Sequence, residues 1–235
     1  PVTAFGFLAE LPNEIKVEGG PSNLSVAKGQ SLSLVGGPVS ITGRTISAPE
    51  GQINVASVAV VTAGLVSEVP VADRVAGGAV LIRRGQFVGA DTGAVTLGNN
   101  AVLQSDATPG GKAGGIDIET NLLVMNPGTT ISASTQGNSN AGGITISAND
   151  RVTISGATIS NSSMFGDTGN MNITSPRLFL ENGGRIDAFT GVAGSGGKIA
   201  IQVTDLSIAN NSAISTSTQT GTGSAGDISI TASNQ

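Results

Sequence analysis

The chain contains no cysteine, no histidine, no tryptophan and no tyrosine, and its aromatic residues are 6 Phe. Each absence removes a class of chemistry. Without Cys there is no thiol nucleophile, no disulfide framework and no thiolate metal site, and zinc loses both of its usual soft ligands. Without His there is no Ser-His-Asp triad, and the side chain best matched to proton transfer near neutral pH is missing. Lack of Cys also suits an extracellular setting, where a stray thiol is a liability. Charge is scarce too: 11% of residues are charged, against about 25% in an average soluble domain. The balance is acidic, with 11 Lys and Arg against 16 Asp and Glu. Scattered basic residues under a net negative charge argue against a nucleic-acid partner, and the one local cluster, Arg83-Arg84, reads as a solvated turn. The longest apolar stretch, Val55 to Val66, is interrupted by Ser57, Thr62 and Gly64. It falls short of the ~20 residues that a membrane-spanning helix needs.

What is present is small and apolar. Gly supplies 35 of 235 residues, 38% of the chain is hydrophobic, and the mean hydropathy is +0.19. Disordered chains are more charged and less apolar, so wholesale disorder is excluded. No signal peptide is visible and the first residue is Pro1, which is expected of a processed product or an internal piece of a longer protein.

From Ala113 onward the sequence repeats itself, in blocks 113–140, 141–168, 169–195 and 196–224, with a partial copy at 225–235. Each block opens on Gly, a variable residue and an apolar-x-apolar triplet: Ile116/Ile118, Ile144/Ile146, Met171/Ile173, Ile199/Ile201 and Ile228/Ile230. A second pair follows at Leu123/Met125, Val152/Ile154, Leu178/Leu180 and Leu206/Ile208. A third apolar position, Ile131, Ile159, Ile186 and Ile214, keeps a constant offset from the first. Alternation with polar residues is the period of a half-buried strand, and the β-branched bias agrees. Gly, Asn, Ser, Pro and Asp between the pairs supply turns.

One block is therefore three short strands and three turns, too little to bury its own apolar face. Stacking blocks in register places Ile on Ile and Leu on Leu and creates one interior. The expected fold is all-β: a right-handed parallel β-helix, or β-solenoid, with three short strands and about 28 residues per coil. Its rungs lie about 4.8 Å apart. The core stack is then Ile116, Ile144, Met171, Ile199 and Ile228, with Val152, Leu178 and Leu206, and with Ile131, Ile159, Ile186 and Ile214. An antiparallel sandwich also tolerates short, regularly spaced strands, but it has no reason to repeat whole three-strand blocks. Residues 1–112 use the same idiom less regularly, in Ile15-Lys16-Val17, Leu24-Ser25-Val26, Leu32-Ser33-Leu34, Val39-Ser40-Ile41, Ile53-Asn54-Val55, Val80 to Ile82, Val95-Thr96-Leu97 and Val102-Leu103. The segment near 66–78, with Glu68, Asp73 and Arg74, breaks the pattern and is expected to protrude as a loop.

The segments PVTAFGFL at Pro1 to Leu8, LSVAKGQSLSLVGGPVSITGRTISAPEGQINVASV at Leu24 to Val58, and the later AGGITI-type blocks resemble filamentous-haemagglutinin-like proteins of the cyanobacterial type. The resemblance covers essentially the whole chain. It implies a substrate of two-partner secretion, exported through an outer-membrane β-barrel transporter of a Gram-negative-type bacterium. It further implies a secreted or cell-surface, adhesin-like role. The Asn-Pro-Asn-Gly-type motif of that family's secretion domain is missing; Asn126-Pro127-Gly128 lies in a repeat turn instead. No secretion residues carry over.

No catalytic, cofactor-binding or metal-binding residue emerges, and no cofactor is expected. Acid/base cleavage of a sugar needs paired carboxylates, whereas Asp117, Asp150, Asp187, Asp205 and Asp227 sit at differing block positions. Isolated turn Asp residues are expected to cap backbone N–H groups. Surface contact points to the outward Phe179 and Phe189 and to Thr218 and Thr220, which extend a hydroxyl column through Ser132, Ser160 and Ser215. Three readings follow: a stiff adhesive stalk or fibre without enzymatic activity, touching surface glycans; a subunit of a filament built by copies stacked end to end; and a β-helical carbohydrate-active enzyme.

Overall fold

Short strands with one aliphatic face cannot bury it alone, so each lies beside its counterpart in the next repeat. The computed structural model describes residues 4–5, 13–18, 23–57, 69–70, 74–75, 79–80, 93–107, 110–219 and 221–234. Among these the chain forms strands and turns and no helix, and the stacked coils make a β-solenoid of about 6 turns. Each coil contributes three strand positions.

The first position stacks Leu32–Gly36, Ile53–Ser57, the leading half of Ile116–Met125, the leading half of Ile144–Ser155, Met171–Thr174, Ile199–Val203 and Ile228–Ala232, all parallel. The second stacks Ile15–Val17, Val39–Thr42, Ala94–Gly98, the trailing halves of the same two long strands, Arg177–Glu181 and Asp205–Ile208. The third stacks Leu24–Ser25, Thr45–Ser47, Val102–Gln104, Thr130–Ser132, Thr158–Ser163, Arg185–Thr190 and Ala213–Thr218. In two coils the first and second strands run together as one bent strand, with a register shift between Thr120 and Leu122. Three separate strands per coil is therefore too simple there. The strand at Thr45–Ser47 was not evident from sequence, because it carries a single aliphatic residue, Ile46.

The register is the expected one. Ile131, Ile159, Ile186 and Ile214 are mutual neighbours in one column. Ile116, Ile144, Met171, Ile199 and Ile228 form another, and Val152, Leu178 and Leu206 a third. All of these are buried except the outermost. Leu206 and Ile214 are only partly covered, and Ile228 is 42% exposed. Ile228 occupies the expected place in its column, in register with Ile199.

Two departures shape the surface. From the third strand to the first the chain has six residues between Ile46 and Ile53 but twelve between Leu103 and Ile116, so narrow coils are overlaid by wider ones. A glycine spine also runs along this corner. A Cβ on Gly114 would lie 1.8 Å from the Gly51 carbonyl oxygen, and one on Gly142 would lie 1.6 Å from that of Gly114. Successive coils pass too closely there for any side chain, which is why each block opens on glycine.

Gly93 packs against Ser57 at one corner of the stack: a Cβ on Gly93 would sit 2.0 Å from Ser57 Oγ. The Thr120 hydroxyl donates to the Gly93 carbonyl at 3.0 Å and closes the gap. The loop expected near 66–78 and the strand expected at Val80 to Ile82 lie largely outside the described residues. Two short antiparallel pairs, Ala4–Phe5 with Val69–Pro70 and Arg74–Val75 with Ala79–Val80, belong to neither stacked sheet.

Candidate functional site

The residue just before the first strand of each coil forms an outward column: Ser31, Gln52, Gly115, Gly143, Asn170, Lys198 and Asp227. Where this column carries an amide, the side chain reaches to the next coil. Gln52 Oε1 accepts from the Gly115 N–H at 3.2 Å, and Asn170 Oδ1 accepts from the Lys198 N–H at 2.9 Å. At Gly115 and Gly143 there is no side chain on two successive rungs. The wall opens at that point, beside the step from narrow to wide coils, into a cleft of about 630 Å³.

Its polar lining comes from Ser31, Glu50, Gln52, Lys112, Asp117 and Thr145, over a floor of glycine and alanine backbone. Asp117 lies on the outward face of its strand because Ile116 and Ile118 point inward. It accepts from Gln52 Nε2 at 3.1 Å, and the Gln52 N–H in turn donates to Ser31 Oγ at 3.1 Å. Lys28 Nζ sits 2.8 Å from Glu50 Oε1. Glu50 holds a φ of 58°, the left-handed conformation that is costly for a side chain bearing a Cβ. A second groove, about 460 Å³, follows the corner between first and second strands past Asn149, Ser175, Gln202 and Thr204.

Sequence reasoning missed Glu50 and did not bring Asp117 beside it. The two are far apart along the chain, and only the pairing of Ile53–Ala56 with Ile116–Glu119 makes their coils neighbours. The missed signal was the pair of glycines before Ile116 and Ile144 where later blocks carry Asn170 and Lys198.

The contact residues proposed from sequence are dispersed. Phe179, expected to be exposed, is half-buried between Thr153 and Ser207 on adjoining rungs; Phe189 is half-buried between Ser162 and Ser217. Neighbouring rungs lie close on both sides of each ring, so an outward direction does not amount to exposure. Among the described residues the aromatic that does stand out is Phe165, 46% exposed. Thr218 is exposed and its hydroxyl donates to the Gln219 carbonyl at 3.2 Å. Thr220 lies outside the described residues.

Ser132, Ser160 and Ser215 do share a column, with Asp187 between the last two. Two of its hydroxyls are engaged across coils. Ser132 Oγ donates to Asp106 Oδ1 at 2.7 Å, and Ser215 Oγ donates to the Asp187 carboxylate. Turn carboxylates and amides cap the coil above: Asp106 accepts from the Ser134 N–H at 2.7 Å, Asp167 from the Ser195 N–H at 2.8 Å, and Asn140 from the Asp167 N–H at 3.0 Å. Asp150 instead pairs with Arg177. Among the described residues no three carboxylates gather into a possible metal site, and no helix is long and apolar enough to cross a membrane. Comparison with protein-family models, with curated proteins and with solved structures finds no match.

Proposed function

We propose that this chain is a segment of a secreted or cell-surface β-helical stalk or fibre that presents adhesive faces and carries out no catalysis. The observation that carries the reading is the way each coil is tied to the next. Aliphatic columns fill the interior, and on the outside Asp106, Asn140, Asp167 and Asn170 each bond a backbone N–H one coil on. Dispersion and cross-coil hydrogen bonds then resist bending at every rung. A lattice of this kind, with few charges, is suited to projecting a surface at fixed spacing. The resemblance to filamentous haemagglutinins supports the same role, including export through an outer-membrane barrel. The two cleft carboxylates are engaged, Glu50 with Lys28 and Asp117 with Gln52, an arrangement that favours binding over acid/base cleavage.

Antibody labelling of intact cells of the source organism, with and without surface protease, tests localisation; signal on intact cells that protease removes is expected. Signal that appears only after lysis would refute the reading. The filament alternative has copies of the chain stacked end to end. Sedimentation of the folded chain over a concentration series separates the two, since only the filament predicts open-ended growth.

A further inference from the structure

The turn that follows the second strand takes two left-handed residues in succession in several coils, and the chain fills it in more than one way. Asn99 and Asn100 hold φ of 50° and 61°, Asn210 and Asn211 hold 54° and 62°, and in a coil between them Asn182 and Gly183 hold 54° and 81°. Asparagine is the side-chain-bearing residue that best tolerates this conformation. A Cβ on Gly183 would meet nothing within 4 Å, and Asn211 fills the equivalent place one coil on, in register with Leu180 on Ile208. Packing therefore does not demand glycine here. Its presence creates the one Asn-Gly pair in the whole sequence, and that pair is chemically labile. Glycine has no side chain to hinder its own nitrogen, which can turn back on the preceding amide.

The reaction needs only water. The Gly183 nitrogen, after giving up its proton to base, attacks Asn182 Cγ; the new C–N bond closes a cyclic imide, and the side-chain nitrogen leaves as ammonia. Water then opens the imide at one of its two carbonyls, giving aspartate or, with the main chain rerouted through the side chain, isoaspartate. Asn182 is exposed, so water and base reach it. Its reacting atoms are nonetheless tied to the coils on either side. The Gly183 N–H donates to the Asn210 carbonyl at 2.8 Å, Asn182 Oδ1 accepts from Asn210 Nδ2 at 3.4 Å, and Asn182 Nδ2 donates to Ser155 Oγ at 2.9 Å. Ring closure has to release the nucleophile from the first bond and turn the amide away from the other two. Two of the three come from the coil that carries Asn210, and coils of a solenoid open locally. We propose that Asn182 is a site of spontaneous deamidation, latent while the Asn210 coil is stacked on it and active when that coil lifts. A transient opening is then recorded as a permanent change. Isoaspartate lengthens the main chain by one carbon at a turn whose neighbours are fixed in register, and an ionised carboxylate has no N–H to return to Ser155.

Peptide mass mapping of the folded wild-type chain during ageing at neutral pH, beside a synthetic peptide of residues 178–188 under the same conditions, gives the direct test. Isoaspartate is expected at position 182 before any other asparagine converts, and the folded chain is expected to convert at least about tenfold more slowly than the peptide, since the reaction waits on opening. Urea below the unfolding midpoint should narrow that gap. Ile214→Ala, which loosens the coil that carries Asn210, should speed conversion at Asn182 in the folded chain; if this variant does not fold, the wild-type comparison stands without it. Conversion of the folded chain at the peptide's rate would overturn the proposal, as would earlier conversion at another asparagine, a product free of isoaspartate, or a folded Ile214→Ala chain that converts no faster than wild type. Adhesion of cells bearing the chain has no part in these outcomes, so the chemistry at Asn182 and the adhesive reading stand or fall separately.

Discussion

Replacing Ile159 by alanine tests the stacked interior most directly. Its side chain is fully buried and sits in register between Ile131 and Ile186. Losing three carbons forfeits about 2.4 kcal/mol of transfer free energy at ~0.8 kcal/mol each. A cavity term adds to this, because rung spacing is set by backbone hydrogen bonds and the flanking isoleucines cannot close the gap. The expected cost is about 3–5 kcal/mol, the upper part of the range for buried aliphatic truncations. Ile214 stands in the same column but is only partly covered, so Ile214→Ala should cost about 1 kcal/mol. With no Trp or Tyr in the chain, intrinsic fluorescence reports little, and urea unfolding followed by far-UV circular dichroism is the suitable assay. Coils can also open singly from an end, so native-state hydrogen exchange should accompany it. Exchange should quicken through both coils beside Ile159 but only in the outermost coil for Ile214. Equal costs at the two positions, or a cost under about 1 kcal/mol at Ile159, would refute the column as the source of stability.

Adjacent glycines should respond oppositely to one methyl group. Gly142→Ala drives a Cβ into the Gly114 carbonyl and should cost about 3 kcal/mol or more by forcing two coils apart, whereas Gly143→Ala should be neutral or stabilising by about 0.4–1 kcal/mol; thermal unfolding of the pair decides it. At Asn182, with a φ of 54°, alanine should lose about 1–2 kcal/mol while glycine stays near wild type, and equal losses would point to its side-chain bond with Ser155 instead. The buried hydroxyls of Thr168 and Thr190 lie 2.9 Å apart. Thr190→Val leaves Thr168 its bond to the Phe189 carbonyl and should cost under about 1.5 kcal/mol, while Thr168→Val strands the Thr190 hydroxyl in the interior and should cost about 1–3 kcal/mol; denaturant midpoints of the two variants rank them.

The solenoid was legible in the sequence because its constraint is one-dimensional. A residue in a parallel stack meets the same position one coil on, so like aliphatics recur at the coil length, and Ile131, Ile159, Ile186 and Ile214 declare their contact by spacing alone. Glycine at the head of each block was equally visible, though its cause, a carbonyl of the preceding coil occupying the place of a Cβ, needed coordinates. Side-chain exposure was not legible. Phe179 alternates with the buried Leu178 and Leu180, but its coverage depends on the rungs at either side.

The cleft belongs wholly to the tertiary structure. Local pattern determined strands, turns and repeat, since these follow from alternation and from residues that the backbone tolerates in tight bends. It was silent on Glu50 and Asp117 because what unites them is the pairing of strands more than sixty residues apart, together with a change in coil width at that level. Distances within a coil are written in neighbouring residues; distances between coils of unlike width are decided only when the coils are laid on one another.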